Sequence, residues 1–229
     1  MTVLCEPVTD LLLPERPPET LADLLDRLGG ISPRRIAANP PPGTATVDDL
    51  LTPRSGGDHL YELVDGMLVE KAMGYYESVL ATVLSHMIYE FLNEHDLGVV
   101  GGEAGLLQIV PGLVRGPDVS FIRWDRLPHE ELPPDAFPGI APDLAVEVIS
   151  KGNTPGEMRR KLREYFDAGC RLVWYLYPEE RVVRVYTGPE ECSVVTEDGV
   201  LDGDPVLPGF SVPVREWLKR ARVRQSDPR

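Results

Sequence analysis

The stretch Ala141–Tyr165, APDLAVEVISKGNTPGEMRRKLREY, decides how this chain is read. Its first half, Leu144-Ala145-Val146-Glu147-Val148-Ile149, is an apolar run broken by one charge, the pattern of a central strand covered on both faces. A carboxylate in such a strand costs several kcal/mol, on the order of the transfer penalty for an unpaired polar group, unless a cation or hydrogen bonds compensate it. Glu147 therefore calls for a partner, and a metal ion is one candidate. The second half predicts a helix. Thr154-Pro155-Gly156-Glu157 has capping-box spacing with proline at the first helical position, and Ala168-Gly169 supplies the stop. Glu157, Lys161 and Tyr165 follow at four-residue steps and share one face. Strand, short loop and basic helix can thus set a lysine beside a strand carboxylate.

Upstream, Tyr61-Glu62-Leu63-Val64 and Met67-Leu68-Val69-Glu70 flank Asp65-Gly66, a favoured hairpin turn. A helix is predicted from about Tyr75 to His95, with Leu80, Val83, Leu84, Met87, Ile88 and Phe91 as its apolar stripe. Glu77 lies in line with Leu80, Leu84 and Ile88. It reads either as a first-turn acid that stabilises the helix or as a third acid of a metal site. Gly98–Val110 is strand material interrupted by glycines, and Pro117-Asp118 opens another mostly apolar strand. Leu172–Tyr177 reads as a buried strand, Val182–Tyr186 as an edge strand, and 214–223 as a terminal helix.

Residues 1–57 form an expected N-terminal extension, partly helical around Thr20–Leu28 and framed by prolines, ahead of a main domain at 58–229. The net charge of −14 disfavours tight nonspecific binding to a phosphate backbone, while local basic clusters occur at 159–163 and near the C-terminus. No apolar run approaches membrane-spanning length and no signal peptide is recognisable, so a cytoplasmic protein is expected. The three cysteines, Cys5, Cys170 and Cys192, have no metal-ligand spacing and are expected as free thiols.

Asp118 and Glu147 are the hard oxygen ligands that Mg²⁺ or Mn²⁺ uses while keeping water positions open. One such water can attack a phosphodiester, with Lys161 stabilising the charge that develops on phosphate. The blocks Arg115-Gly116-Pro117-Asp118-Val119-Ser120-Phe121-Ile122, Pro142–Ser150, Glu157–Phe166 and Val173-Trp174-Tyr175 resemble, in order, the Uma-type restriction endonuclease family within the PD-(D/E)XK nuclease superfamily. The resemblance implies an α/β (α+β) restriction-endonuclease-like mixed β-sheet flanked by helices with extra β-hairpins. It also implies a divalent metal at the acids, a nucleic-acid substrate (DNA) and a homodimer. The superfamily's Glu-X-Lys would put lysine at 149, where this chain has Ile149. Lys161 is preferred as the replacement, with Lys151 as its rival. The candidate site is thus Asp118, Glu147, Lys161 and Glu77 for catalysis, with Asp118, Glu147 and Glu77 toward the metal. The competing reading is a catalytically silent nuclease-fold binding or assembly module.

Overall fold

Strand β8 (Leu144–Val148) is buried along its whole length in the computed structural model, which describes residues 3–4, 20–52 and 59–222. It lies inside a mixed seven-stranded sheet. On one side of β8 come β9 (Leu172–Tyr177), β10 (Val182–Gly188), β11 (Glu191–Thr196) and the short β1 (Val3–Leu4). On the other come β7 (Val119–Arg123) and β4 (Gly98–Gly102). Strands β8 and β9 run parallel, which demands a crossover rather than a hairpin. Helix α4 (Pro155–Asp167) is that crossover.

Local chemistry sets the limits of α4. Thr154 Oγ1 accepts from the Glu157 amide at 3.1 Å, and the Glu157 carboxylate accepts from the Thr154 amide at 3.4 Å. Gly169 then takes φ +96°, which L side chains rarely adopt, and ends the helix. Helix α3 (Tyr75–Leu92) follows the hairpin and stops one turn before the expected His95.

Alternation along β8 distributes its side chains between two cores. Leu144, Val146 and Val148 join Leu80, Leu84 and Ile88 of α3 and Trp217 and Leu218 of α5 (Val214–Arg220). Ala145 faces the opposite way, with Met158, Leu162 and Tyr165 of α4. Glu147 has the parity of Ala145, so it points under α4. Asp118, just ahead of β7, has the parity of Ile122, which belongs to the same second core.

A four-stranded antiparallel sheet stands beside this layer, in the order β3 (Met67–Glu70), β2 (Tyr61–Val64), β6 (Leu113–Arg115), β5 (Leu107–Val110). The hairpin β2–β3 has the register read from sequence, Val64 opposite Met67. A further pair, β12 (Val200–Asp202) and β13 (Ser211–Pro213), leads into α5. The expected edge position of Val182–Tyr186 is corrected, because β10 lies between β9 and β11. Its half-polar alternation comes from one face being partly open, not from an unpaired edge.

Helix α1 (Leu21–Arg27) and the turn after it pack on the hairpin. Leu28 and Ile31 are buried against Val64, Met67 and Val69. Gly29 lies so close to the start of α4 that a Cβ there would be 2.1 Å from the Glu157 amide. Helix α2 (Val47–Leu50) packs on the second sheet through Val47 and Leu50. The expected boundary at 57/58 lies outside the described residues. Cys170 is a free, buried thiol. Cys192 is disulfide-bonded, which corrects the expectation of three free thiols. Among the described residues, no helix is long and apolar enough to cross a membrane.

Candidate active site

Two acids end up side by side because two strands pair. Val119 of β7 is opposite Val146 of β8, which sets Asp118 and Glu147 at the end of that ladder. Both are buried, at 3% and 4% exposure. Asp118 Oδ2 accepts from the Val148 amide at 2.7 Å, so the side chain continues the β8 pairing where the backbone of β7 turns away. Asp118 Oδ1 accepts from Lys71 Nζ at 2.9 Å.

Glu147 is held from α4. Lys161 Nζ donates to its two oxygens at 3.1 and 3.3 Å, and Tyr165 Oη donates to Oε1 at 2.6 Å. The face predicted from the four-residue spacing is therefore the face that covers the strand acid. Lys151, the rival lysine, is 90% exposed and paired with Glu179, away from Glu147.

Lys161 also meets Glu62 of β2, at 3.0 Å. Glu62 is fully buried and accepts from Arg115 Nη1 at 2.7 Å and the Gly116 amide at 3.1 Å. Arg115 Nε donates to Glu164 at 2.8 Å, Arg160 Nε donates to Glu164 at 2.6 Å, and Arg160 reaches Asp65 at 2.9 Å. Four carboxylates and three cations thus run unbroken from the hairpin turn to Glu147.

The electrostatics follow from this packing. Burial pushes the Glu147 carboxyl up, Lys161 opposes it, and the Asp118 carboxylate adds to the rise. Burial alone would raise Glu62 too, but Lys161 and Arg115 outweigh it and hold the carboxyl down at about 2. For Lys161, burial disfavours the charge, yet Glu147 and Glu62 together raise its pKa and keep it an ammonium. Tyr165, pushed well above the ordinary phenol range by burial and by Glu147, remains a donor.

Glu77 sits elsewhere. Its carboxylate accepts from the Gly74 amide at 3.1 Å and caps α3. Among the described residues, no hydrogen bond or ion pair joins it to Asp118 or Glu147. This is the helix-stabilising role, one of the two the sequence allows. Glu77 nevertheless lines a cavity of about 790 Å³ together with Lys71, Ile149 and Ser150. A second cavity, about 400 Å³, is lined by Asp118, Glu103 and Ser85.

Glu103 bears on whether the residues suit a divalent cation. Its Oε2 is buried with no hydrogen-bond partner, an uncommon state for a carboxylate oxygen. Its Oε1 accepts from Ser78 at 3.4 Å, and Lys71 Nζ, which holds Asp118, lies 3.5 Å from its backbone oxygen. Among the described residues, no group of three or more His, Cys, Asp or Glu side chains is placed to hold a metal ion. Two carboxylates side by side, Asp118 and Glu147, instead suit a hard ion that keeps most of its water shell, as Mg²⁺ does, and Glu103 shares the cavity wall with Asp118. The donor set fits.

Sequence reasoning missed Glu62, Lys71, Glu103 and Arg115 as neighbours of the acids. Glu62 carried the same signal as Glu147, a lone charge inside an apolar strand. Arg115 stood in the Arg-Gly-Pro-Asp block. Lys71 and Glu103 carried no local signal.

Comparison with known proteins agrees with this architecture. A structural match with a TM-score of 0.66 is the crystal structure titled as a putative nuclease belonging to DUF820 from Anabaena variabilis ATCC 29413. It shares 19% identity and covers 77% of this chain and 98% of its own, which establishes the shared fold. No curated protein matches the chain. The family model described as "Uma2: Putative restriction endonuclease" matches residues 47–215, a span that includes both acids, Lys71 and Lys161. The chain belongs to the Uma2 restriction-endonuclease-like family.

Proposed function

We propose that this protein is a Mg²⁺- or Mn²⁺-dependent endonuclease that hydrolyses phosphodiester bonds in DNA. The observation that carries the reading is the pair of buried carboxylates, Asp118 and Glu147, on adjacent strands with a lysine on each. Asp118 and Glu147 would hold the cation, and the free oxygen of Glu103 would take a water of its shell. A bound cation would supply Lewis acidity toward phosphate and a more acidic water.

The chain's own groups set the stage for that chemistry. The Val148 amide fixes Asp118, while Lys161 and Tyr165 fix Glu147 and favour its ionised form against burial. Glu77, on the wall of the larger cavity, would assist through water. The reaction adds water across one P–O ester bond, leaving a phosphate monoester and a hydroxyl. One such centre cuts one strand, so double-strand cutting calls for a homodimer with two centres.

The test is cleavage of plasmid and single-stranded DNA in Mn²⁺ or Mg²⁺ by wild type and by Glu147→Ala. Metal-dependent cutting that the variant loses supports the reading; cutting that persists in both Glu147→Ala and Asp118→Ala sinks the site. A second reading, a nuclease-fold binding module without turnover, draws on the net charge of −14, which opposes a long phosphate-binding groove. No saturable Mn²⁺ binding by wild type would favour it.

A further inference from the structure

The chain has four lysines: Lys71, Lys151, Lys161 and Lys219. With Ile149 where the superfamily would put its lysine, one of these must face the scissile phosphate if a lysine does so at all. Lys219, on α5, is 79% exposed and its nearest carboxylate is Glu216. Lys151 lines the cavity of about 790 Å³ but is exposed and paired with Glu179, with no contact to either buried acid. Lys161 touches Glu147, but its side chain is 3% exposed and it already serves two carboxylates, Glu62 at 3.0 Å and Glu147 at 3.1 Å. Moving it toward a substrate would leave two buried acids short of a cation, an expensive outcome.

Lys71 is as buried as Lys161, with its side chain 5% exposed, but differs in its partners and in the space beside it. It follows β3, and its amide donates to Leu60 O at 2.9 Å, which anchors the backbone. Its side chain meets one carboxylate, Asp118, and also lines the cavity of about 790 Å³ at the end of β8, beside Ile149 and Ser150. Asp118 lines the second cavity, so the Lys71–Asp118 pair links the two spaces, the lysine facing one and the acid the other. A divalent cation at Asp118 and the Lys71 ammonium would compete for the same oxygen, Oδ1. Once displaced, the ammonium has an open cavity to enter, whereas Lys161 lines neither of the two cavities described.

We propose that Lys71 is the substrate-facing lysine of this site: it pairs with Asp118 when no cation is there and turns to the phosphate oxygens when one is, while Lys161 is a positioning residue for Glu147. The inference rests on the metal-dependent reading above. A lysine suits the role because it is a compact charge on a flexible stem.

The experiment titrates Mn²⁺ into wild type, Lys71→Met, Lys71→Gln and Glu147→Ala by calorimetry, then measures single-turnover cleavage of single-stranded DNA at saturating Mn²⁺. Lys71→Gln keeps a hydrogen-bond donor for Asp118 without charge, so a folded variant is available if methionine is not tolerated; thermal melting checks both. With the competitor gone, both variants should bind Mn²⁺ about tenfold more tightly. Cleavage should nonetheless fall about 10²–10³-fold, with Lys71→Arg recovering part of it. A merely structural lysine would not tighten metal binding while slowing cleavage. Unchanged or weaker Mn²⁺ affinity in both variants, intact cleavage, or a wild type that binds Mn²⁺ yet cuts nothing overturns the role of Lys71. A wild type with no Mn²⁺ binding that Glu147→Ala removes overturns the metal-dependent reading itself.

Discussion

Asp118 and Glu147 are neighbours in one sheet, yet the two ends of the acid pair are built differently. Around Glu147 every oxygen is engaged by Lys161 or Tyr165, and the ion pairs continue inward through Glu62 and Arg115. Around Asp118 there is one amide and one lysine, with one cavity against the acid and another against the lysine. The closed end gains its order from packing between the two sheets and α4. The open end leaves a carboxylate oxygen that a cation can take over. A site that must hold geometry and also exchange ligands needs both kinds of neighbourhood.

The sharpest way to break that comparison is to remove the acids. Asp118→Ala and Glu147→Ala should each lower metal-dependent cleavage by about a thousandfold or more. Circular dichroism should still show a folded chain. Equal activity in either variant would mean that the pair is structural.

Stability should separate the two ends next. Lys161→Met leaves Glu147 and Glu62 without their shared cation and should cost about 3–5 kcal/mol in urea unfolding. Lys71→Met should cost less, because Asp118 keeps the Val148 amide and lines a cavity. A larger loss for Lys71→Met than for Lys161→Met would invert the assignment of closed and open ends.

Acid unfolding sharpens the closed end. The Glu62 pKa is depressed from an ordinary 4.5 to about 2 in the folded chain. Its contribution to stability is therefore complete above pH 4.5 and is lost as pH falls toward about 2. Glu62→Gln should flatten the loss of stability over that window, measured as melting temperature against pH. An unchanged pH slope would show that Glu62 does not carry the acid sensitivity.

Smaller effects belong to the periphery. Glu77→Gln removes a charged cap and should cost about 0.5–1 kcal/mol, with cleavage lowered about tenfold at most. Loss comparable to Glu147→Ala would make Glu77 a full member of the metal set. Lys151→Ala breaks an exposed pair with Glu179 and should change stability by less than about 0.5 kcal/mol and leave cleavage intact.

Much of the fold was legible because its signals are local. The Asp65-Gly66 turn fixed the hairpin register, and Thr154 through Glu157 fixed where α4 starts. Four-residue spacing placed Lys161 and Tyr165 on one face, and that face covers Glu147. Val182–Tyr186 was misplaced at an edge because its partner β11 lies beyond a turn and its half-polar pattern fits either position.

The sequence by itself determined which segments are strands and helices, which acids are buried in apolar runs, and which helix face turns inward. Those properties depend on periods of two and 3.6 residues and on caps within one turn. Only the tertiary structure decided the cation at each acid. Lys71 lies 47 residues from Asp118, and Arg115 lies 53 from Glu62. No local pattern encodes such a pair. It forms because the packing of two sheets and a crossover helix leaves buried carboxylates that must be met by whatever cations the fold brings within reach.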